Sequence, residues 1–467
     1  MIAEEKQTSQ KKVTSETRKT ITTCIFAQAV GAPLPQVLIN GGILSLFILE
    51  LGGSKFAVGS VFTMNYLAQL VRVLVSPRID TANRKRLIII WTTIAALVFS
   101  LIFLSYPLSI HVSRQAAVWL IVALFLFQRL SMNIAATAWF SFLTVVIPGP
   151  LRGRFFGRMR MIFQIVSLSL ILFSGWYLGK TPGVGRFYVI FAVLFAVSLV
   201  RPLLLLRLPS PAPDREGRPE PVLRNIMRPL QDKPWRDFIL FWVFLAFTVN
   251  IVRPFAVPFL KQDLAFPSSI TTYASGAFLL GMVVALMPWG RLADRLGNRI
   301  VLLLNVLLMA VAFVILAVTP HYDTNPPLAM AVGIAAFLVT GISIGGLGIG
   351  HTVRQMHAAP PERRSAYMSL FFTSNGIISG IATLLSGAFL DRLPAAMNVA
   401  GIDLSPTRVF FVGSAILVSL TILLLWRLEP VSEKHIRYTM VDFLALLPPS
   451  LTVPLRLVNL DPHKKET

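Results

Sequence analysis

The sequence predicts an all-α membrane protein of twelve transmembrane helices, arranged as two six-helix bundles. Three observations carry this expectation. The chain has 467 residues, of which 55% are hydrophobic and only 14% charged, and its mean hydropathy is +0.70; a soluble domain carries roughly 25% charged residues. Its apolar residues fall into long runs, each near or above the roughly 20 residues that cross a bilayer as a helix, without the alternation over about ten residues that marks barrel strands. Lastly, a charged turn at Gly290–Ile300, GRLADRLGNRI, has a weaker copy at Ser76–Leu87, SPRIDTANRKRL, as a duplicated bundle would show.

Residues 1–20 are polar and charged. They lack the apolar core of a cleavable signal peptide, so the first span is expected to serve as its own uncleaved signal. Apolar runs follow at residues 21–49, 55–77, 86–108, 115–147, 156–179 and 186–207, then at 237–261, 269–290, 299–319, 327–352, 365–390 and 408–428. Between the two sets lies LPSPAPDREGRPEPVLRNIMRPLQDKPWR, residues 208–236, whose seven prolines and many charges read as an extended, solvated linker. The bundles are therefore 21–207 and 237–428. In the tail 429–467, Ile436–Leu460 is apolar but broken by Pro448, Pro449 and Pro454. It is expected to lie along the interface rather than to span.

Charge sets the orientation. With cations near run ends counted with the adjoining loop, Arg201 with the linker and Arg253 with the seventh loop, 33 of the 43 Lys and Arg belong to the two tails and the even-numbered loops, the linker among them, and 8 to the odd-numbered loops; Arg72 and Arg129 are the remaining two. The positive-inside rule places both termini in the cytoplasm of a multi-pass inner-membrane protein. The net charge of +22 then faces anionic lipid headgroups, not nucleic acid. Cys24 is the only cysteine, which excludes an internal disulfide and a cysteine metal site. No HExxH, no GxSxG and no paired carboxylates in a span are present, so no enzymatic activity and no cofactor are expected. GGLGIGHT, Gly345–Thr352, sits in an apolar run without a preceding strand or a Walker lysine. Its glycines, with Gly341, read as close helix packing.

The halves look like copies. Asp80 and Asp294 each follow the second run of their half, Asn83 stands where Gly297 does, and Lys85 where Arg299 does. PGPLRGRFFGR (Pro148–Arg158) between runs four and five is echoed by APPERRSAYMS (Ala359–Ser369) between ten and eleven. Parallel repeats of this kind are a transporter signature. GRLADRLGNR resembles the loop signature Gly-x-x-x-Asp-Arg-x-Gly-x-Arg of the major facilitator superfamily. The first-half loop is degenerate, with Ser76 for the glycine and Thr81 for the arginine.

The resemblance covers about residues 21–428. It implies a monomeric carrier of a small molecule, with the two loops bracing the halves in an outward-open state. In that reading Gly290 allows close helix contact, and Gly297 turns with positive φ, which Asn83 also tolerates. Asp294, beside Arg295 and Arg299, faces the start of helix five near Arg152 and Arg154, where the dipole favours an anion. Asp80, followed by Arg84 and Lys85, faces the start of helix eleven near Arg363 and Arg364.

Ionisable groups inside spans cost roughly 2.5–3.5 kcal/mol each on insertion scales, so they are the first candidates for a site. Arg129 lies in FQRLSMN of run four and Arg253 in VNIVRPFAVPF of run seven. Pro254 and Pro258 free backbone carbonyls beside Arg253. The resemblance puts runs one, four, seven and ten around the cavity, which favours Gln36, Asn40 and Asn250, with Asn375 and Trp139 as weaker candidates. Trp91, Trp119, Trp176, Trp235, Trp289 and Trp426 read as interface anchors, and His351 and His357 as interfacial polar residues. No Asp or Glu lies deep within a run. Two arginines without a carboxylate favour an organic anion, exported rather than taken up. The rival expectation is a non-transporting sensor or assembly factor on the same fold, which would have a filled, dry centre.

Overall fold

The computed structural model describes residues 15–31, 33–79, 83–148, 152–210, 228–358, 364–393, 397–399 and 402–428. Twelve helical spans are long and apolar enough to cross a membrane: Arg18–Asn40, Lys55–Val75, Arg84–His111, Arg114–Leu143, Phe155–Leu178, Val184–Leu206, Lys233–Asp263, Ser268–Ala293, Asn298–Val318, Pro326–Thr352, Tyr367–Arg392 and Pro406–Leu425. They are numbered 1 to 12 in that order. Span 7 begins at Lys233 rather than at 237, because Pro234 suits a first helical turn, where its missing N–H has no intrahelical partner to lose. Three other starts are capped locally: Ser54, Asn83 and Ser113 accept from the backbone N–H three residues on, at Ala57, Arg86 and Ala116. The only strands among the described residues are β1 (Met397–Val399) and β2 (Ile402–Leu404), an antiparallel pair between spans 11 and 12.

The outer surface is apolar. Leu97, Met287, Val318, Leu385 and Leu423 are all more than half exposed, as suits a surface that faces lipid. Trp176 and Trp426 are exposed, as expected of anchors, but Trp235 is fully buried against Phe238 and Tyr367. Span 7 starts before it, so Trp235 packs into the bundle instead of anchoring at the interface.

Two helix pairs join the halves: span 2 packs along span 11, and span 5 along span 8. Spans 1 and 7 are broken at matching places. Span 1 runs to Gly31, resumes at Pro33 and ends in a π turn at Gln36–Asn40, with Gly42 at φ +70° before a last helix, Ile43–Glu50. Span 7 is α-helical to Asn250, then passes through a 3-10 turn at Arg253–Phe255 and a π turn at Phe259–Asp263. Prolines 33, 35, 254 and 258 account for these breaks, since each removes a helix donor. With twelve crossings, both ends of the described chain lie on one face, here the tail face, opposite the far face.

Candidate functional site

Spans 1, 2, 4 and 6 line an open cavity of about 190 Å³ within the first half, formed by Gln28, Pro35, Arg72, Arg129, Met132, Asn133, Ala136, Trp139, Phe140 and Arg201. Three guanidinium groups from three different spans line it, and no Asp or Glu among the described residues does. Each is held differently. Arg72 donates its Nε to Asn133 Oδ1 at 2.7 Å, and Asn133 Nδ2 donates to the carbonyl of Arg129 at 2.8 Å, so one amide ties Arg72 to the turn that carries Arg129. Arg201 lies 5.4 Å from the centroid of the Trp139 ring, and Trp139 stacks on Phe142. Arg201 is only 4% exposed although it lies near the end of its span. Gly31 makes that path possible: a Cβ there would overlap Arg201 Cδ.

Several buried polar atoms around this cavity have no hydrogen-bond partner among the described residues: Nε of Arg129, Nε of Arg201, Nε1 of Trp139 and Oε1 of Gln28. Buried groups of this kind are nearly always satisfied. Here donors far outnumber acceptors, so the wall is built to meet something that accepts.

Arg253 does not share this cavity. It lines a separate space of about 40 Å³ with Asn40, Phe62, Phe278 and Thr340. Its guanidinium donates to Asn40 Oδ1 at 2.8 Å across the two halves and lies 5.0 Å from the Phe278 ring centroid. Asn40 in turn donates to Gln36. Asn250 accepts from the Tyr66 hydroxyl at 2.5 Å and donates to Ser379 Oγ at 3.1 Å; Thr63 bonds to Thr383 and to the carbonyl of Gly380. Asn40 with Arg253, and Tyr66 with Asn250, therefore tie the halves together outside the arginine cavity, and Gln36 holds Asn40. Asn375 accepts from Trp242 Nε1 at 3.0 Å, and Trp242 packs on His351. His351 thus lies between Trp242 and Phe371 inside the second half, not at the interface.

The far face carries an ionic clasp between the halves. Lys55 Nζ, at the start of span 2, lies 3.1 Å from Asp263 Oδ1 and 3.1 Å from Thr407 Oγ1. Asp391 accepts from the backbone N–H groups of Lys55 and Phe56, both at 2.9 Å, and so caps span 2 from the other half. Ser405 donates to Asp263 at 2.9 Å. On the other helix pair, Ser268 and Ser269 N–H donate to the carbonyls of Lys180 and Gly179.

At the tail-face loops, Gly297 has φ +84° and separates the helices on either side of it, as the motif requires. Asn83 instead is extended, at φ −70°, and acts as a helix cap. A Cβ at Gly290 would meet nothing within 4 Å, which corrects the expectation of close helix contact there; Gly341 and Gly345, by contrast, do lie against a neighbouring backbone, at Phe278 and Met282. Arg84 is buried at the first turn of span 3. Lys85 donates to the carbonyls of Leu206 and Leu208, and Arg299 to that of Trp426, whose ring it covers at 4.6 Å. These two matched cations thus tie each loop to the sixth span of its own half. Arg295 is exposed. Asp80 and Arg363 lie outside the described residues, as do the side chains of Asp294, Arg152, Arg154 and Arg364, and all of 429–467.

Of the residues the sequence reading named, Arg129 and Trp139 line this cavity, Gln36 and Asn40 do not, and Arg72 and Arg201 line it without having been named as candidates. Arg72 was visible as a charge inside a run. Arg201 was grouped with the linker charges, because a cation near the end of an apolar run is expected to reach for the headgroups.

A profile described as Major Facilitator Superfamily matches residues 25–252 and 238–457. The chain is 29% identical over 136 residues to the MFS thioclapurine efflux transporter tcpA of Claviceps purpurea, covering 29% of this chain and 23% of that one. It is 25% identical over 158 residues to the shikimate transporter of Escherichia coli K12, covering 32% of this chain and 34% of that one. These alignments span about a third or less of each relative. Among solved structures, a mutant of the nucleoside transporter NupG superposes with a TM-score of 0.69 at 15% identity, covering 88% of this chain and 100% of that chain.

Proposed function

The chain belongs to the Major Facilitator Superfamily, and from that premise we propose that it exports a small organic anion by alternating access. The observation that carries this is the set of Arg72, Arg129 and Arg201 around one cavity that no carboxylate among the described residues lines. A buried guanidinium is costly unless paired, and the donors without protein partners supply the selectivity for an acceptor-rich ligand.

Direction follows from charge. With the tail face in the cytoplasm, as the basic loops favour, each negative charge gains roughly 2.3 kcal/mol per 100 mV on leaving the cell. Export needs no carboxylate proton relay, and no Asp or Glu lines either cavity described above. The conformation supports loading from the tail face: the inter-half contacts include the Lys55 clasp at the far face and the Asn40–Arg253 and Tyr66–Asn250 bonds further in. The relatives named for thioclapurine efflux and for shikimate transport are in keeping with an exported organic acid.

Purified full-length protein in vesicles provides the test. Tail-face-driven flux of an organic anion should drop by about 100-fold or more in Arg129→Ala, on the order of two buried charge-assisted bonds. Flux equal to wild type in both Arg129→Ala and Arg201→Ala removes the cavity from the transport path.

A further inference from the structure

We propose that the arginine cavity selects compact organic anions carrying two or three charges, and that Arg201 holds the second charge. The inference rests on the anion reading above and names its substrate class.

A carboxylate accepts through two oxygens and pairs with one guanidinium fork, or bridges two. Here there are three guanidiniums on three walls. Arg72 has given its Nε to Asn133, but its terminal nitrogens remain. Arg129 and Arg201 both keep Nε without a protein acceptor. Arg129 and Asn133 stand one turn apart on span 4 and Arg72 is bonded to that turn, so these two cations form one pole. Arg201 reaches in from span 6 over Trp139 and forms the other. A monoanion at the first pole leaves Arg201 buried without a counter-charge, the arrangement a low-dielectric site penalises. A second carboxylate on the same ligand removes that penalty.

Nothing about Arg201 suggests a charge on its way to the headgroups. It is buried, its stem crosses span 1 at Gly31, and a ring lies beneath its guanidinium. The space of about 190 Å³ has room for a short carbon chain between two charged groups. Pro35, Met132, Ala136 and Phe140 give the apolar wall for such a chain.

The test uses the purified full-length protein with three carbon-chain acids of similar length at neutral pH and fixed ionic strength: pentanoate, glutarate and tricarballylate, with one, two and three charges. Affinity is read by calorimetry. Wild type should bind glutarate or tricarballylate at least about tenfold more tightly than pentanoate. Arg201→Gln should bring the multivalent acids to within about threefold of pentanoate, whereas Arg201→Lys, which keeps the charge, should retain a preference. Thermal unfolding of each variant separates lost binding from lost fold. Equal affinity for all three acids in wild type, or an undiminished preference in a folded Arg201→Gln, overturns this proposal while anion transport stands. Binding of none of them overturns the anion reading as well.

Discussion

Gly31 and Arg201 show how one missing methyl group shapes the cavity. Span 1 passes so close to the arginine stem that a Cβ at 31 would overlap it. Gly31→Ala should therefore push Arg201 out of the cavity or strain the bundle by about 1–3 kcal/mol, the usual cost of overpacking. Paired with Arg201→Ala, the two changes should be non-additive, because removing the stem removes the clash. A double-mutant cycle on thermal stability reads this directly; additive losses would mean that the two residues do not meet. Only part of this site was legible in the sequence. Arg129 stood out because it sits mid-run, where a charge has no route to water. Arg201 did not, because five residues from the end of a span the same residue can snorkel or turn inward, and periodicity does not distinguish the two. Which one occurs depends on a glycine 170 positions earlier in the chain.

Among the elements, the broken spans 1 and 7 bring Asn40 and Arg253 face to face, and span 2 is capped from the opposite half by Asp391. The breaks were readable, since proline names its own position. The pairing was not: Lys55 and Asp263 are 208 positions apart, and nothing local announces an ion pair between halves. Both partners are under a fifth exposed, so the pair should be worth about 1 kcal/mol, more than the median surface bridge. Lys55→Met should accordingly shift the balance of conformers toward a parted far face by about fivefold. The readout is labelling of Ala256→Cys, which lines the space behind the clasp, by an impermeant thiol reagent from the far side, in a Cys24→Ser background. Faster labelling in Lys55→Met is expected. An unchanged rate would leave the clasp as local capping with no part in gating. The tail-face loops invert the same logic, since Lys85 and Arg299 each hold the end of their own half. Such contacts keep a half rigid as a body, which is what rocking about a shared axis demands.

For the whole molecule, twelve spans and two bundles follow from hydropathy and a repeated turn, because only helices satisfy every backbone group in lipid. Cavities are a different matter, since they depend on which face of each helix turns inward and on side chains that meet across spans. The charge of the transported species is the property that the whole assembly turns into direction. If a dianion leaves through the far face uncoupled to another ion, the process moves two negative charges across the membrane. A potential of 100 mV, negative on the tail face, then favours exit by roughly 4.6 kcal/mol, twice the value for a single charge. The corresponding accumulation ratio is on the order of 10³. Vesicles with the tail face outward, loaded by a potassium gradient and valinomycin so that the interior is positive, should take up glutarate, and reversing the potential should release it. Uptake indifferent to potential would mean that the charge is balanced by a co-transported cation or an exchanged anion. Export down the electrical gradient would then give way to a coupled cycle, with the arginine cavity still as its binding site.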